Sequence, residues 1–299
     1  MEDILYMSDK YFYTPYIYPE WWPEDDWKRQ LMSILIFTWM GQYTMYFVMG
    51  LLDYCFVYDH RLKEHPLYLK NQIKLEIKYA VKNMIFQGAT FGPIFLLEVR
   101  GYSRLHRDFS RGFFGPLNPL IEIIGFVIFT DFTNYWFHRT LHHRLIYKHV
   151  HKQHHMWKVP TPFSGYALHP LDGFTQGISW HIYPFLFPFN SKILMGFFFF
   201  VLMWTFSIHD NLCVLPKFLQ PIINGAAHHT DHHMFYNYNY GQFTTLWDRV
   251  FGSYRVPGTH QGKGPVDDVI AIKAKAAGYQ MNGKRNEYIN GNGHNKKVE

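Results

Sequence analysis

Cysteine is almost absent from this chain of 299 residues: Cys55 and Cys213 are the only two. A single possible pair is not a disulfide scaffold, and neither thiol is expected as a zinc ligand. Charge is also scarce, at 17% of residues against the roughly 25% usual in soluble globular chains. Aromatic residues reach 20%, so the chain is expected in a lipid-facing or very apolar environment. No signal-peptide pattern precedes the first apolar run, because residues 1–30 are acidic and aromatic, and that run is expected to stay in the mature protein. No repeat period or Gly/Ser linker divides the sequence before its polar tail. The expected organisation is an N-terminal segment over 1–30, one membrane-embedded catalytic domain over 31–265, and a flexible polar tail over 266–299. No glutamate occurs between Glu122 and Glu287. That gap excludes the Glu and Glu-x-x-His pattern of soluble di-iron bundles, and equally the H-E-x-x-H zinc protease. The net charge of +6 does not point to nucleic acid, since the basic residues gather at the ends of apolar blocks rather than along one face.

Apolar blocks dominate what is present. Leu31 to Leu52 carries no charged residue and is long enough to cross a hydrocarbon core of about 30 Å. Ala80 to Val99 is interrupted by Lys82, Asn83, Gln87, Pro93 and Glu98, whereas Leu117 to Phe137 contains only Glu122 and Asp131. Phe174 to Ile208 is long enough for two passes turning near Asn190, Ser191 and Lys192. Lys and Arg outnumber acids in residues 58–82, while acids outnumber them in residues 1–30, so the amino terminus is expected in the lumen. Residues 138–158 then fall on the cytosolic side, with Arg139, Arg144, Lys148, Lys152 and Lys158 and no acid; residues 100–111 run against that bias. These features predict an all-α, multi-pass membrane helical bundle with a histidine-rich domain on its cytosolic face, the number of passes left open.

The strongest signal is histidine. Nineteen are present, and three tight groups stand out: His138, His142 and His143 in HRTLHH; His151, His154 and His155 in HKQHH; His228, His229, His232 and His233 in HHTDHH. On a helix, residues three or four apart share a face, so each group acts as a clamp. One tetrahedral zinc needs only three or four ligands, so this many imidazoles imply two metals. His209, after the last apolar block, is a further candidate; His149, His169 and His181 are weaker, and His60, His65, His106, His260 and His294 read as surface residues. Ligating imidazoles usually pass their second N–H to a carboxylate or carbonyl. Asp131, two turns before His138 and inside an apolar segment, is the favoured partner, ahead of Asp172, Asp210, Asp231 and Asp248.

The order HRTLHH, HKQHH, HHTDHH, behind TDFTNYWFHR and before LWDRVFG, resembles the fatty acid hydroxylase and sterol desaturase superfamily of membrane di-iron enzymes. Through YFYTPYIYPEWWPEDDW, FLLEVRGYSRLH, PTPF, HPLDGFTQ, HIYPFLFP and INGAAHHTDHHMFYNYNYGQ it is most similar to the sterol C-5 desaturases, over about residues 11–265. One departure is Tyr166 in SGYALHP, where that family usually has a second histidine. The resemblance implies two Fe ions, O2 as co-substrate, and electrons passed from NAD(P)H through cytochrome b5. It also implies removal of hydrogens from carbons 5 and 6 of a sterol already unsaturated at carbon 7.

Elementary chemistry agrees with that implication. An aliphatic C–H bond offers no acidic proton and no carbonyl, so oxygen must be made reactive at a redox metal in a water-poor pocket. Tyr135, Trp136, Trp157, Phe163, Phe235 and Tyr236 are candidate walls of a substrate slot. The histidines alone do not separate desaturation from hydroxylation or C-4 methyl sterol oxidation, or from a non-catalytic metal- or sterol-binding protein. Lys296 and Lys297 stand fourth and third from the end, the placing of a dilysine retrieval address for endoplasmic-reticulum membrane proteins.

Overall fold

The computed structural model describes residues 2–110, 112, 114–281, 287–290 and 295–297; Arg111 and His294 lie outside them. The fold is built on helices: α1 (Glu2–Ser8), α2 (Trp27–Phe56), α3 (Gln72–Val99), α4 (Asn118–Leu141), α5 (Pro170–Leu186), α6 (Ser191–His209), α7 (Ala226–Phe235) and α8 (Pro265–Ala276). Among the described residues three helical stretches, Trp27–Phe56, Gly115–Leu141 and Ser191–His209, are long and apolar enough to cross a membrane. At 1.5 Å per residue the 30 residues of α2 measure about 45 Å. Phe174 to Ile208 resolves into α5 and α6, which turn at Phe187–Asn190 as expected.

Local chemistry starts these helices where they start. The Asp26 carboxylate accepts the N–H groups of Lys28 and Arg29 at the head of α2, and the Asn190 side chain does the same for Lys192 and Ile193 at the head of α6. α2 packs along α3, α3 against α5, and α5 against α4. Gly88 permits the closest of these approaches, because a Cβ there would meet the Trp39 ring at 2.1 Å. Large apolar side chains face outward as well as inward, and polar groups share the interior with the apolar core. Met40, Leu51, Phe56, Leu120, Ile128 and Phe199 face outward, while Asn83, Thr130, Asp131, Asn134 and Ser179 are buried. Polar groups in lipid must be satisfied inside the bundle, and apolar ones need not be.

Helices α2, α4 and α6 finish at one end of the bundle, and α3 and α5 begin there; the 3-10 turn Pro162–Tyr166 packs among α2, α3 and α6 at that end. At the opposite end a short parallel pair, β1 (Leu105–His106) with β2 (Phe189–Asn190), is fastened by Glu122, which accepts from Asn190 N and pairs with His106. His106 is therefore buried against Glu122, and His65, at the other end, is buried with its Nδ1 accepting from Leu67 N, both contrary to the expected surface placing. The expected flexible tail is ordered over α8, whose apolar Val266, Val269 and Ile270 share one face and pack toward the His60–Glu64 turn. Lys296 and Lys297 lie in a short strand, Asn295–Lys297.

Candidate metal centre

At the end where α4 and α6 finish, imidazoles from four stretches of chain converge into two groups. The first contains His138, His142, His151, His155 and His232; the second contains His154, His209, His229 and His233. Within each group the ligand atoms lie within 4.8 Å of one another. Two of the doublets are divided: His155 and His232 enter the first group, their neighbours His154 and His233 the second. Adjacent residues on a helix project about 100° apart, so one backbone segment serves two foci. The other doublets contribute one ring each. His143 is exposed and caps the turn Arg144–Tyr147 by accepting from Leu145 N. His228 is buried, but its ring faces His260 at 5.4 Å and Tyr254 at 5.9 Å. Neither joins a group. Among the weaker candidates, His149 is exposed, His169 caps α5 by accepting from Leu171 N, and His181 Nδ1 meets Glu98 Oε1 at 2.8 Å.

Hydrogen bonds decide which nitrogen each ring presents. His138 Nδ1 donates to the Tyr240 carbonyl at 2.9 Å, His232 Nδ1 to the Tyr238 carbonyl at 2.7 Å, and His209 Nδ1 to the Thr205 carbonyl at 2.6 Å. His151 Nδ1 meets Asp172 Oδ2 at 2.7 Å. A neutral imidazole carries one proton, so these four rings turn bare Nε2 lone pairs inward. His138 and His151 present Nε2 atoms 3.1 Å apart, and His155 Nε2 lies 3.1 Å from those of both His142 and His151. In the second group His229 Nε2 is 3.0 Å from His209 Nε2 and 3.1 Å from His233 Nε2. Two lone pairs at that separation repel unless a cation lies between them. Nitrogens about 2.1 Å from one ion and at right angles to each other would be separated by such a distance. The donor set therefore fits a pair of borderline metal ions.

Burial, reinforced by neighbouring imidazoles, drives His154, His155, His229, His232 and His233 well below the ordinary histidine range. These rings stay neutral at physiological pH, the form that ligates metal.

Asp131, the expected carboxylate partner of a ligand, touches no imidazole. It accepts from Phe243 N at 2.8 Å and from Thr244 Oγ1 at 2.6 Å. Asp248 accepts from Tyr240 N and Gly241 N, both at 2.8 Å. The two carboxylates thus pin the loop whose carbonyls orient His138 and His232. Gly241 lets that loop turn tightly, since a Cβ would sit 2.3 Å from the Thr244 carbonyl oxygen. The direct carboxylate is Asp172, on the first turn of α5.

A cavity of about 390 Å³ opens onto the second group, reaching His154, His209 and His229. Its walls are mostly apolar and come from α2, α3, α5 and α6, including Phe37, Phe91, Trp180 and Leu202. None of the six aromatic residues expected as slot walls lines it; Tyr135, Trp157 and Phe163 are instead buried in the packing.

Helices apolar enough to cross a membrane, with imidazoles gathered in two groups beside an apolar cavity, fit a membrane protein with room for two metal ions next to an apolar ligand. Residues 123–253 match the model of the fatty acid hydroxylase family. The chain is 49% identical to the lathosterol oxidase of Homo sapiens over 97% of each chain, and 47% identical to that of Mus musculus over 98% of each. It is 47% identical to the Delta(7)-sterol 5(6)-desaturase of Leptosphaeria maculans, covering 84% of this chain and 70% of that one. The chain belongs to the lathosterol oxidase and Delta(7)-sterol 5(6)-desaturase family, within the fatty acid hydroxylases. No solved structure matches it.

Proposed function

We propose that this chain is a sterol C-5 desaturase, which converts a sterol unsaturated at carbon 7 into the 5,7-diene. One hydrogen leaves each of carbons 5 and 6, and O2 with two electrons and two protons becomes two waters. The observation that supports this reading best is the meeting of the apolar cavity with the second histidine group. Its volume of about 390 Å³ suits a rigid apolar molecule of sterol size.

The first group would hold one iron and the second the other. Bound iron would supply the redox chemistry that an unactivated C–H bond demands. The protein's own part is placement. Phe37, Phe91, Trp180 and Leu202 exclude water from the substrate, and the reacting carbons come to the cavity end lined by His154, His209 and His229. Asp172 and the carbonyls of Thr205, Tyr238 and Tyr240 hold the imidazole protons on Nδ1, so that Nε2 remains free for metal.

The two electrons come from NAD(P)H through cytochrome b5. The enzyme resides in the endoplasmic reticulum membrane with its histidine end in the cytosol, a placing supported by the cationic run of residues 139–158. Sterol profiles of cells lacking the protein test the reading. A sterol unsaturated only at carbon 7 accumulates, and an unchanged profile rejects the assignment. Purified active protein carries iron, and alanine at both His154 and His232 abolishes turnover.

A further inference from the structure

The two histidine groups face different surroundings. The second opens onto the substrate cavity, whereas none of His138, His142, His151, His155 and His232 lines it. The first group meets an aromatic pair instead. The Tyr147 ring lies 5.5 Å from His142 and 5.8 Å from His155, and the Tyr236 ring lies 4.9 Å from His155 and 5.8 Å from Tyr147. Tyr236 is held at φ 64°, a conformation that residues other than glycine seldom adopt.

Cations neighbour this pair in the chain or touch it. Arg144, Lys148 and Lys152 are exposed on the stretch that buries His151 and His155. The Lys158 ammonium sits 3.3 Å from the centre of the Tyr236 ring; the Arg255 guanidinium, 3.6 Å from that of Phe235, is paired with Asp231 at 3.3 Å. No aspartate or glutamate occurs between Asp131 and Asp172. Leu145 and Phe235 add exposed apolar surface, 67% and 41% accessible. The result is an aromatic pair against the first group, on chain segments that also expose cations and apolar side chains.

We infer that this face docks an electron-carrier protein whose own contact surface bears carboxylates, and that Tyr147 and Tyr236 bridge the carrier to the first histidine group. The inference rests on the desaturase reading, because that reaction needs an external reductant. Each docking oxidises the reduced carrier by one electron and reduces the metal centre by one, so a turnover takes two dockings. Opposite charge raises the encounter rate and orients the partner. Anionic lipid would also attract the lysines, yet it would not account for an aromatic pair packed on the ligand rings. Electrons thus enter at one group, and substrate arrives at the other.

The test uses full-length, iron-loaded protein and the reduced soluble haem domain of cytochrome b5. In R144E/K148E/K152E the KM for carrier rises about tenfold or more at low ionic strength and the salt dependence of the rate flattens. Iron content and turnover driven by a small reduced dye stay unchanged. In Y147L/Y236L the carrier-driven rate at saturation falls at least several-fold with KM for carrier held. Unchanged KM and salt dependence in the charge-reversed protein overturn the inference. So does loss of binding to phosphatidylserine vesicles with KM for carrier intact, which assigns the face to lipid. If unsubstituted protein fails to turn over sterol even with the dye, the desaturase reading is what has failed. Salt-sensitive co-sedimentation with the haem domain then decides the docking on its own.

Discussion

His151 and Asp172 form a fully buried pair, ring Nδ1 to carboxylate Oδ2 at 2.7 Å, joining the loop after α4 to the first turn of α5. The carboxylate sets the tautomer and the tilt of a ring whose Nε2 meets two neighbouring Nε2 atoms at 3.1 Å. Replacing Asp172 with alanine is expected to weaken iron retention about 10- to 100-fold. D172N keeps an acceptor oxygen in place and should fall between. Competition against a chelator measures both, and equal retention in D172A and the unsubstituted protein would show that Asp172 does not orient this ligand.

Asp131 acts at one remove. Removing its carboxylate strands the buried Phe243 N–H and the Thr244 hydroxyl, each costing about 1–3 kcal/mol. D131A is expected to lower Tm by several degrees, and iron retention should fall with it as the Tyr238 and Tyr240 carbonyls lose register. An unchanged Tm contradicts the assigned role.

Gly41 lines the cavity, and a Cβ there meets nothing within 4 Å. A side chain at position 41 therefore starts in open space at the cavity wall, and G41L is directed at substrate space. The expected outcome is a sterol KM raised about tenfold, or turnover lost altogether, with iron content unchanged. Unaltered sterol kinetics would place the substrate elsewhere.

The buried imidazoles give stability a direction with pH. His154, His155, His229, His232 and His233 have folded-state values well below the ordinary 6.5, with burial the main cause. Below pH 6.5 the unfolded chain binds protons at these positions and the folded chain does not, so stability falls as pH falls. Each group contributes up to about 1.4 kcal/mol per pH unit in that window. Through these imidazoles, thermal unfolding of metal-free protein should shift downward from pH 7 to pH 5.5. Ligand protonation should release bound metal over the same acid range, and metal analysis after dialysis follows it.

Much of this architecture can be read from residues alone. Leu31 to Leu52 and Leu117 to Phe137 announce their helices because lipid tolerates little charge, and the hairpin near Asn190 is marked by a capping residue between two apolar runs. The histidine runs are equally plain. Less legible is which member of a doublet turns inward, since that depends on helix phase at an element's end: His142 precedes a turn that carries His143 outward, and His229 faces the centre while its neighbour His228 packs on His260. Backbone acceptors such as Tyr238 and Tyr240 are invisible in sequence, because every residue carries a carbonyl. The cavity walls are hidden for a related reason. They are assembled from four separated helices, and of the aromatic residues nearest the motifs Tyr135, Trp157 and Phe163 turn out to be packing.

The divided doublets make the two foci inseparable. His154 with His155, and His232 with His233, are each joined by a single peptide unit, so a shift that spoils one focus drags the wall of its twin. Filling should accordingly be cooperative, with a half-occupied species too scarce to accumulate during titration. Descent with modification faces the same bind: neither half can drift toward a new ligand set while its companion stands still, which favours keeping the motif whole or losing it outright.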